Sequence, residues 1–195
     1  MRNTKRGARD GRKLVRTGAL VLVLLLLAFC YMPPGRAMWT ELRRACGLLP
    51  FAQSLPNADL TVYAIDVGKA DAILIETPEG AVLSDCATAE QAKTVLRVLK
   101  QRNIQKLRAV WISHADSDHV GGLTQILREV PTEEVVTSMY TELTGLPEDQ
   151  IVRTVSAGET VSYGEAEFRV LAPLEDLEST NENSLVYKLC YKEFS

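Results

Sequence analysis

The sequence predicts a layered α/β domain built on a mixed sheet, and three observations carry that expectation. Residues 60–85 hold three short apolar runs with β-type alternation and turn residues between them. From Ala89 the period changes to that of a helix, with one apolar face. Beyond that point helices and strands take turns, and strands followed by interleaved helices and strands are the order of a sheet covered by helices.

The 195 residues, 46% hydrophobic and 24% charged, suffice for one domain with a real core and a short appendage. Charge is unevenly placed. Residues 1–16 carry Arg2, Lys5, Arg6, Arg9, Arg12, Lys13 and Arg16 against Asp10, an excess of +6 in a chain whose net charge is -3, which leaves -9 for the remainder. An acidic body has no generic attraction for phosphate backbones, which weighs against a simple DNA-binding module. A nucleic-acid substrate would have to be drawn in by bound cations or a local basic strip.

Taken in order, residues 1–16 read as a basic cytoplasmic arm. Residues 17–32 (TGALVLVLLLLAFCYM) run without a charge, a little under the ~20 residues that span a bilayer, with Leu14 and Val15 available to extend them. Cations before an apolar run predict a single-pass membrane segment, the chain's expected membrane contact, with the domain outside the cell. Gly35-Arg36-Ala37 is a weak small-x-small cleavage site, so a retained anchor is favoured over a secreted form. Bulky Phe29 before Cys30 argues against lipid attachment there. Residues 33–59 read as a connector opened by Pro33-Pro34-Gly35, with a short helix over Trp39 to Leu48, and residues 60–195 as the domain.

Within the domain, Leu60 to Asp66, Ala72 to Glu76 and Ala81 to Asp85 predict strands, the last two joined by the turn Pro78-Glu79-Gly80. Ala92, Val95, Leu96 and Leu99 share a helical face, with Glu90 at its start and Lys100 and Arg102 at its end, as the helix dipole favours. Leu107 to Ser113 predicts a buried strand, and Gly121-Gly122 opens a second helix carrying Leu123, Ile126, Leu127 and Val130. Further strands are expected over 134–138, 151–155, 167–172 and 184–191.

Chemistry concentrates in His114-Ala115-Asp116-Ser117-Asp118-His119, at the exit of the buried strand and before a glycine pair that lets the backbone turn. The chain has two histidines, and both are here. Imidazole nitrogen and carboxylate oxygen together suit Zn²⁺ or Mn²⁺. A calcium loop imitating the start of an EF-hand fails, because Val120 and Leu127 fall where oxygen ligands are needed. The plainer alternative is a helix entry capped by Asp116 or Ser117 with the histidines packed nearby.

His114-x-Asp116-x-Asp118-His119-x-Gly-Gly resembles the His-x-His/Asp-x-Asp-His signature of the metallo-β-lactamase superfamily. Its hydrophobic lead-in and the Asp at the third position are most similar to the extracellular hydrolase-like domain of competence DNA-uptake channels, the ComEC-like group. Two stretches support this: Tyr63 to Ile75 resembles that group's Asp-Val-Gly-Gln-Gly-Asp-Ala strand pair, and Leu83 to Ala87 its following Asp-x-Gly segment. Lys69 and Ala70 stand where that group has Gln-Gly.

The resemblance covers residues 60–191 and implies an αββα sandwich, of which this chain holds about the N-terminal half. It implies two divalent cations, His114 and Asp116 on one, Asp118 and His119 on the other. Asp71 and Asp85 would support the ligand loop, and Asp118 would also orient the attacking water. Paired cations activate water and stabilise charge on attacking and leaving oxygens, so a phosphodiester or related ester bond is the expected substrate. The partner would be a nucleic acid or a small phosphodiester. The superfamily also holds lactamases and thioesterases, so fold alone does not choose.

Relatives complete the site with a later bridging Asp and at least one further His. Here Asp176, Glu178, Glu182 and Glu193 lie in no Gly-Asp motif. Three expectations compete: a partial sequence of a working hydrolase, favoured here; a catalytically incomplete, membrane-anchored binding module or remnant; and a subunit completed by another chain. An open strand edge at 184–191 would need a partner. Ser84 and Ser113 lack a free histidine for a serine triad. Cys86 is read as a packing residue rather than a nucleophile. Cys46, Cys86 and Cys190 show no metal spacing, and a disulfide from Cys46 is left open.

Overall fold

Val, Ile and aromatic residues favour strands, at alternate positions where one face of a sheet is covered and in continuous runs where both are. In a computed structural model, which describes residues 58–194, the chain runs β1 (Thr61–Ala64), β2 (Ile73–Thr77), β3 (Gly80–Ser84), α1 (Ala92–Gln101), β4 (Leu107–Ile112), α2 (Ser117–Val120), α3 (Leu123–Glu129), β5 (Thr132–Ser138), β6 (Val152–Val155), β7 (Thr160–Tyr163), β8 (Ala166–Ala172) and β9 (Val186–Tyr191). The expected basic arm 1–16, the membrane segment 17–32, the connector up to residue 57, and Cys30 and Cys46 lie outside the described residues. Among the described residues no helix is long and apolar enough to cross a membrane.

The strands form two sheets. Six lie in the order β1-β2-β3-β4-β5-β6, antiparallel from β1 to β3 and parallel from β3 to β6, which is the expected mixed sheet. The other three form an antiparallel sheet, β7-β8-β9, with β9 at its margin beside β8.

Two cores share the larger sheet. On one face Leu74, Leu83, Val110, Ile112 and Val135 pack with Val95, Val98 and Leu99 of α1 and Leu123 and Ile126 of α3. On the other face Ile75, Val82, Ala109, Trp111 and Val136 pack with Val161, Tyr163, Ala166, Phe168 and Val170 of the smaller sheet. The layers therefore run helix, sheet, sheet, an α/β sandwich. Trp111 and Phe168 stack at 4.8 Å between ring centroids, and Tyr187 meets Trp111 edge-on at 4.9 Å.

Three details differ from expectation. Strand β7 was not expected; it is four residues long, and its inward Val161 and Tyr163 alternate with outward Thr160 and Ser162. The segment before α3 holds an additional one-turn helix, α2, which carries Asp118 and His119. Gly121 and Gly122 serve close approach rather than a sharp turn: both have ordinary right-handed helical backbone. A Cβ on Gly121 would lie 2.3 Å from the Ser117 carbonyl oxygen, and one on Gly122 2.2 Å from that of Cys86.

Candidate metal centre

Strands β3 and β4 are parallel neighbours and end side by side, so the residues after them share one rim of the sheet. Asp85 follows β3, and Ser113 and His114 follow β4. The carboxyl ends of parallel strands are where an open α/β sheet leaves room for a ligand. Asp85 has φ 58° and Ala87 φ 59°, left-handed conformations that side chains rarely adopt, and here they surround the ligand loop.

Backbone hydrogen bonds tie four loops together at this rim. Asp85 N donates to Trp111 O at 2.8 Å and Cys86 N to His119 O at 2.7 Å. Ala87 N donates to Asp71 O at 2.9 Å, Asp71 N to Asp118 O at 3.2 Å, and Gly122 N to Ala87 O at 3.0 Å. Leu185 N donates to Ser113 O at 2.7 Å, which brings in the segment before β9. Close packing at the glycine pair makes these bonds possible, because a side chain there would hold the loops apart.

The side chains are ordered around two imidazoles whose centroids lie 4.0 Å apart. Asp85 Oδ2 lies 2.9 Å from His119 Nδ1. Its Oδ1 accepts from Ser113 N at 2.8 Å, and its Oδ2 from the Ser113 hydroxyl at 2.8 Å. Having given its one proton to Asp85, Ser113 Oγ can only accept from His114 Nδ1, 3.0 Å away. With both Nδ1 atoms so engaged, each ring turns Nε2 outward, the atom a metal ligand of this kind uses.

On the Nε2 side stand carboxylates. Asp116 Oδ2 is 3.5 Å from His114 Nε2. Asp71 Oδ2 and Asp118 Oδ2 are 3.6 and 4.0 Å from His119 Nε2. Across a tetrahedral cation with metal–donor distances near 2.1 Å, nitrogen and oxygen sit about 3.4 Å apart. The His114–Asp116 and His119–Asp71 pairs have about that spacing and the His119–Asp118 pair is wider, so nitrogen and carboxylate donors of the kind a divalent metal takes face one another here. Among the described residues, no three of these groups are already closed into a cage. His114 is buried, whereas the carboxylates of Asp71, Asp116 and Asp118 reach solvent.

The six expected residues therefore gather at one rim, with Asp85 behind the histidines and Asp71 in front of His119. Asp116 holds the N-cap position of α2 but makes no side-chain capping bond. Its oxygens instead accept from Thr180 Oγ1 at 2.9 Å and Asn181 Nδ2 at 3.3 Å. Those two residues and Ser113 were not singled out as site residues from the sequence. Ser113 had a usable signal, a hydroxyl beside the first histidine; Thr180 and Asn181 lie more than sixty positions from Asp116 and had none.

Cys86 is fully buried, and burial, with the charge of Asp85 beside it, pushes its thiol well above the ordinary range, which suits packing and not nucleophilic attack. A cavity of about 540 Å³ lined by Asp59, Leu60, Tyr191, Lys192, Glu193 and Phe194 shares no residue with the centre. The geometry of donors, and not cavity size, marks the site.

Comparison with known proteins bears on the family and the fold. The family described as the metallo-beta-lactamase superfamily matches residues 65–185. A curated relative, competence protein ComA of Neisseria gonorrhoeae, is 29% identical over 126 residues, a match covering 58% of this chain and 17% of that protein. Among solved structures, Rm3 metallo-beta-lactamase superposes with a TM-score of 0.55 at 18% identity, covering 66% of this chain and 53% of that one. A Cronobacter sakazakii metallo-beta-lactamase mutant gives 0.54 at 16% identity, covering 68% and 57%. The chain spans little more than half the length of these structures and a small part of the competence protein.

Proposed function

The chain belongs to the metallo-beta-lactamase superfamily, and from that membership we propose that it is a membrane-anchored, metal-dependent hydrolase of the competence-type group. It would act outside the cell on a phosphodiester or related ester bond. The observation that carries this reading is the orientation of the histidines: each Nδ1 is tied back to Ser113 or Asp85, and each Nε2 faces a carboxylate. In this reading His114 and Asp116 hold one divalent cation, Zn²⁺ or Mn²⁺, and Asp118 and His119 a second. When bound, such cations supply an activated water at neutral pH and stabilise charge on the scissile group.

The chain's own residues do the positioning. Asp85 and Ser113 would hold both imidazoles through Nδ1, Thr180 and Asn181 orient the Asp116 carboxylate, and half-exposed Asp118 would accept a hydrogen bond from the attacking water. Likeness to a protein named for competence supports placing the chain in the competence-type group, and the phosphodiester choice follows from the expected pair of cations. The acidic body offers no generic attraction for phosphate, so a small phosphodiester, or a nucleic acid, would have to be drawn in by the cations themselves. The open spacing of the donors favours a second reading, a binding module of the same fold that does not turn over substrate.

Metal analysis of the full chain separates the two. About two equivalents of Zn²⁺ or Mn²⁺, with turnover of bis-(p-nitrophenyl) phosphate, are expected of the hydrolase. Asp118→Ala should abolish turnover and leave the fold intact, because the carboxylate is half exposed and outside both cores. Less than one equivalent and no turnover would sink the hydrolase.

A further inference from the structure

Within the proposed metal reading, on which this inference rests, we infer that Asp71 is a direct ligand of the cation held by His119. A carboxylate that steadies a ligating imidazole from behind must meet its Nδ1. Asp85 holds that place, 2.9 Å from His119 Nδ1. Asp71 lies on the opposite side of the ring, with its Oδ2 3.6 Å from Nε2.

That distance is too long for a hydrogen bond and suits two ligands of one cation. It matches the 3.5 Å between His114 Nε2 and Asp116 Oδ2, and it is shorter than the 4.0 Å from His119 to Asp118. Among the described residues no hydrogen-bond donor holds the Asp71 carboxylate, whose side chain is 63% exposed. Its backbone, by contrast, is clamped. Asp71 N donates to the carbonyl of Asp118, and Asp71 O accepts from Ala87 N. The loop is thus fixed against the ligand helix while its carboxylate is left free at the front of the site.

His119, Asp118 and Asp71 together give one nitrogen and two carboxylates. This set is harder than one rich in imidazole and raises the standing of Mn²⁺ relative to Zn²⁺.

A thiolate at position 71 tests the contact directly, because a sulfur bound to Co²⁺ produces a near-ultraviolet charge-transfer band. Full-chain Asp71→Cys loaded with Co²⁺ should show that band, and wild type, whose described cysteines are buried, should not. Asp71→Ala should bind its second Zn²⁺ about tenfold or more weakly, Asp71→Glu should recover part of the loss, and metal-free Tm should stay unchanged. If Asp71→Cys shows no band while Co²⁺ still binds, Asp71 is not a ligand, although the metal reading stands. A fall in metal-free Tm that accounts for the weaker binding of Asp71→Ala would assign Asp71 a structural role and overturn the inference. If wild type binds neither Zn²⁺ nor Co²⁺, the functional reading fails, and this inference fails with it.

Discussion

Ser113 has one hydroxyl proton to give, and a carboxylate stands 2.8 Å away to take it. That choice leaves Oγ to accept from His114 Nδ1 and, together with Asp85, turns both Nε2 atoms toward the acidic side chains. Ser113→Ala should therefore disturb both rings while touching neither proposed cation. We expect Zn²⁺ affinity to fall by about ten- to hundredfold, as for other outer partners of metal ligands, with Ser113→Thr close to wild type. Chelator competition on the full chain measures this, and unchanged affinity in Ser113→Ala would mean that Asp85 alone sets the tautomers. The loop itself was legible in the sequence, because histidines and aspartates crowd into six positions after an apolar strand. The roles of Ser113, Thr180 and Asn181 were not, since hydrogen-bond partners across loops leave no pattern in a single sequence.

Elements were legible where periodicity is long and strong. Helix α1 was anticipated by Ala92, Val95 and Leu99, and β4 by an apolar run interrupted only at Arg108, with both faces covered. Strand β7 escaped because four residues with two inward side chains barely exceed chance alternation, although Gly158 and Gly164 bracket it. The glycine pair shows how a correct residue can be read with the wrong reason. Helical backbone at both positions would accept any residue, but the carbonyl of Cys86 fills the space a Cβ on Gly122 needs. Gly122→Ala should thus force α3 away from the Asp85 loop and cost about 1–3 kcal/mol, as overpacking does. Denaturant unfolding of the full chain reads the loss. A variant as stable as wild type would show that the loops can separate without strain.

At the scale of the molecule, the central sheet carries a core on each face, and β4 contributes to both through Val110 and Ile112 on one side and Trp111 on the other. The ligand loop leaves the end of this strand, so its position depends on helices and smaller sheet alike. Local patterns announced every strand except β7, but pairing of the two sheets depends on contacts between distant segments, such as Trp111 with Phe168 and Tyr187, that no local pattern encodes. This seam has a pH signature. Burial pushes Tyr187 up from 10.0 to about 12, against a lowering hydrogen bond with Ser84 and with a raising contribution from the charge of Asp85. Burial, then a hydrogen bond with Glu134, likewise raises Tyr163. A phenol raised in the folded state contributes stability that is intact below the unfolded value near 10 and is lost as pH climbs through the folded one, because the unfolded chain releases its proton first. Tm should accordingly hold level to about pH 9.5 and fall above about pH 10, and Tyr187→Phe should make that fall shallower. If the two proteins lost stability in parallel, Tyr187 would be ionising freely in the folded state, and the packing between the sheets would be looser than the ring contacts require.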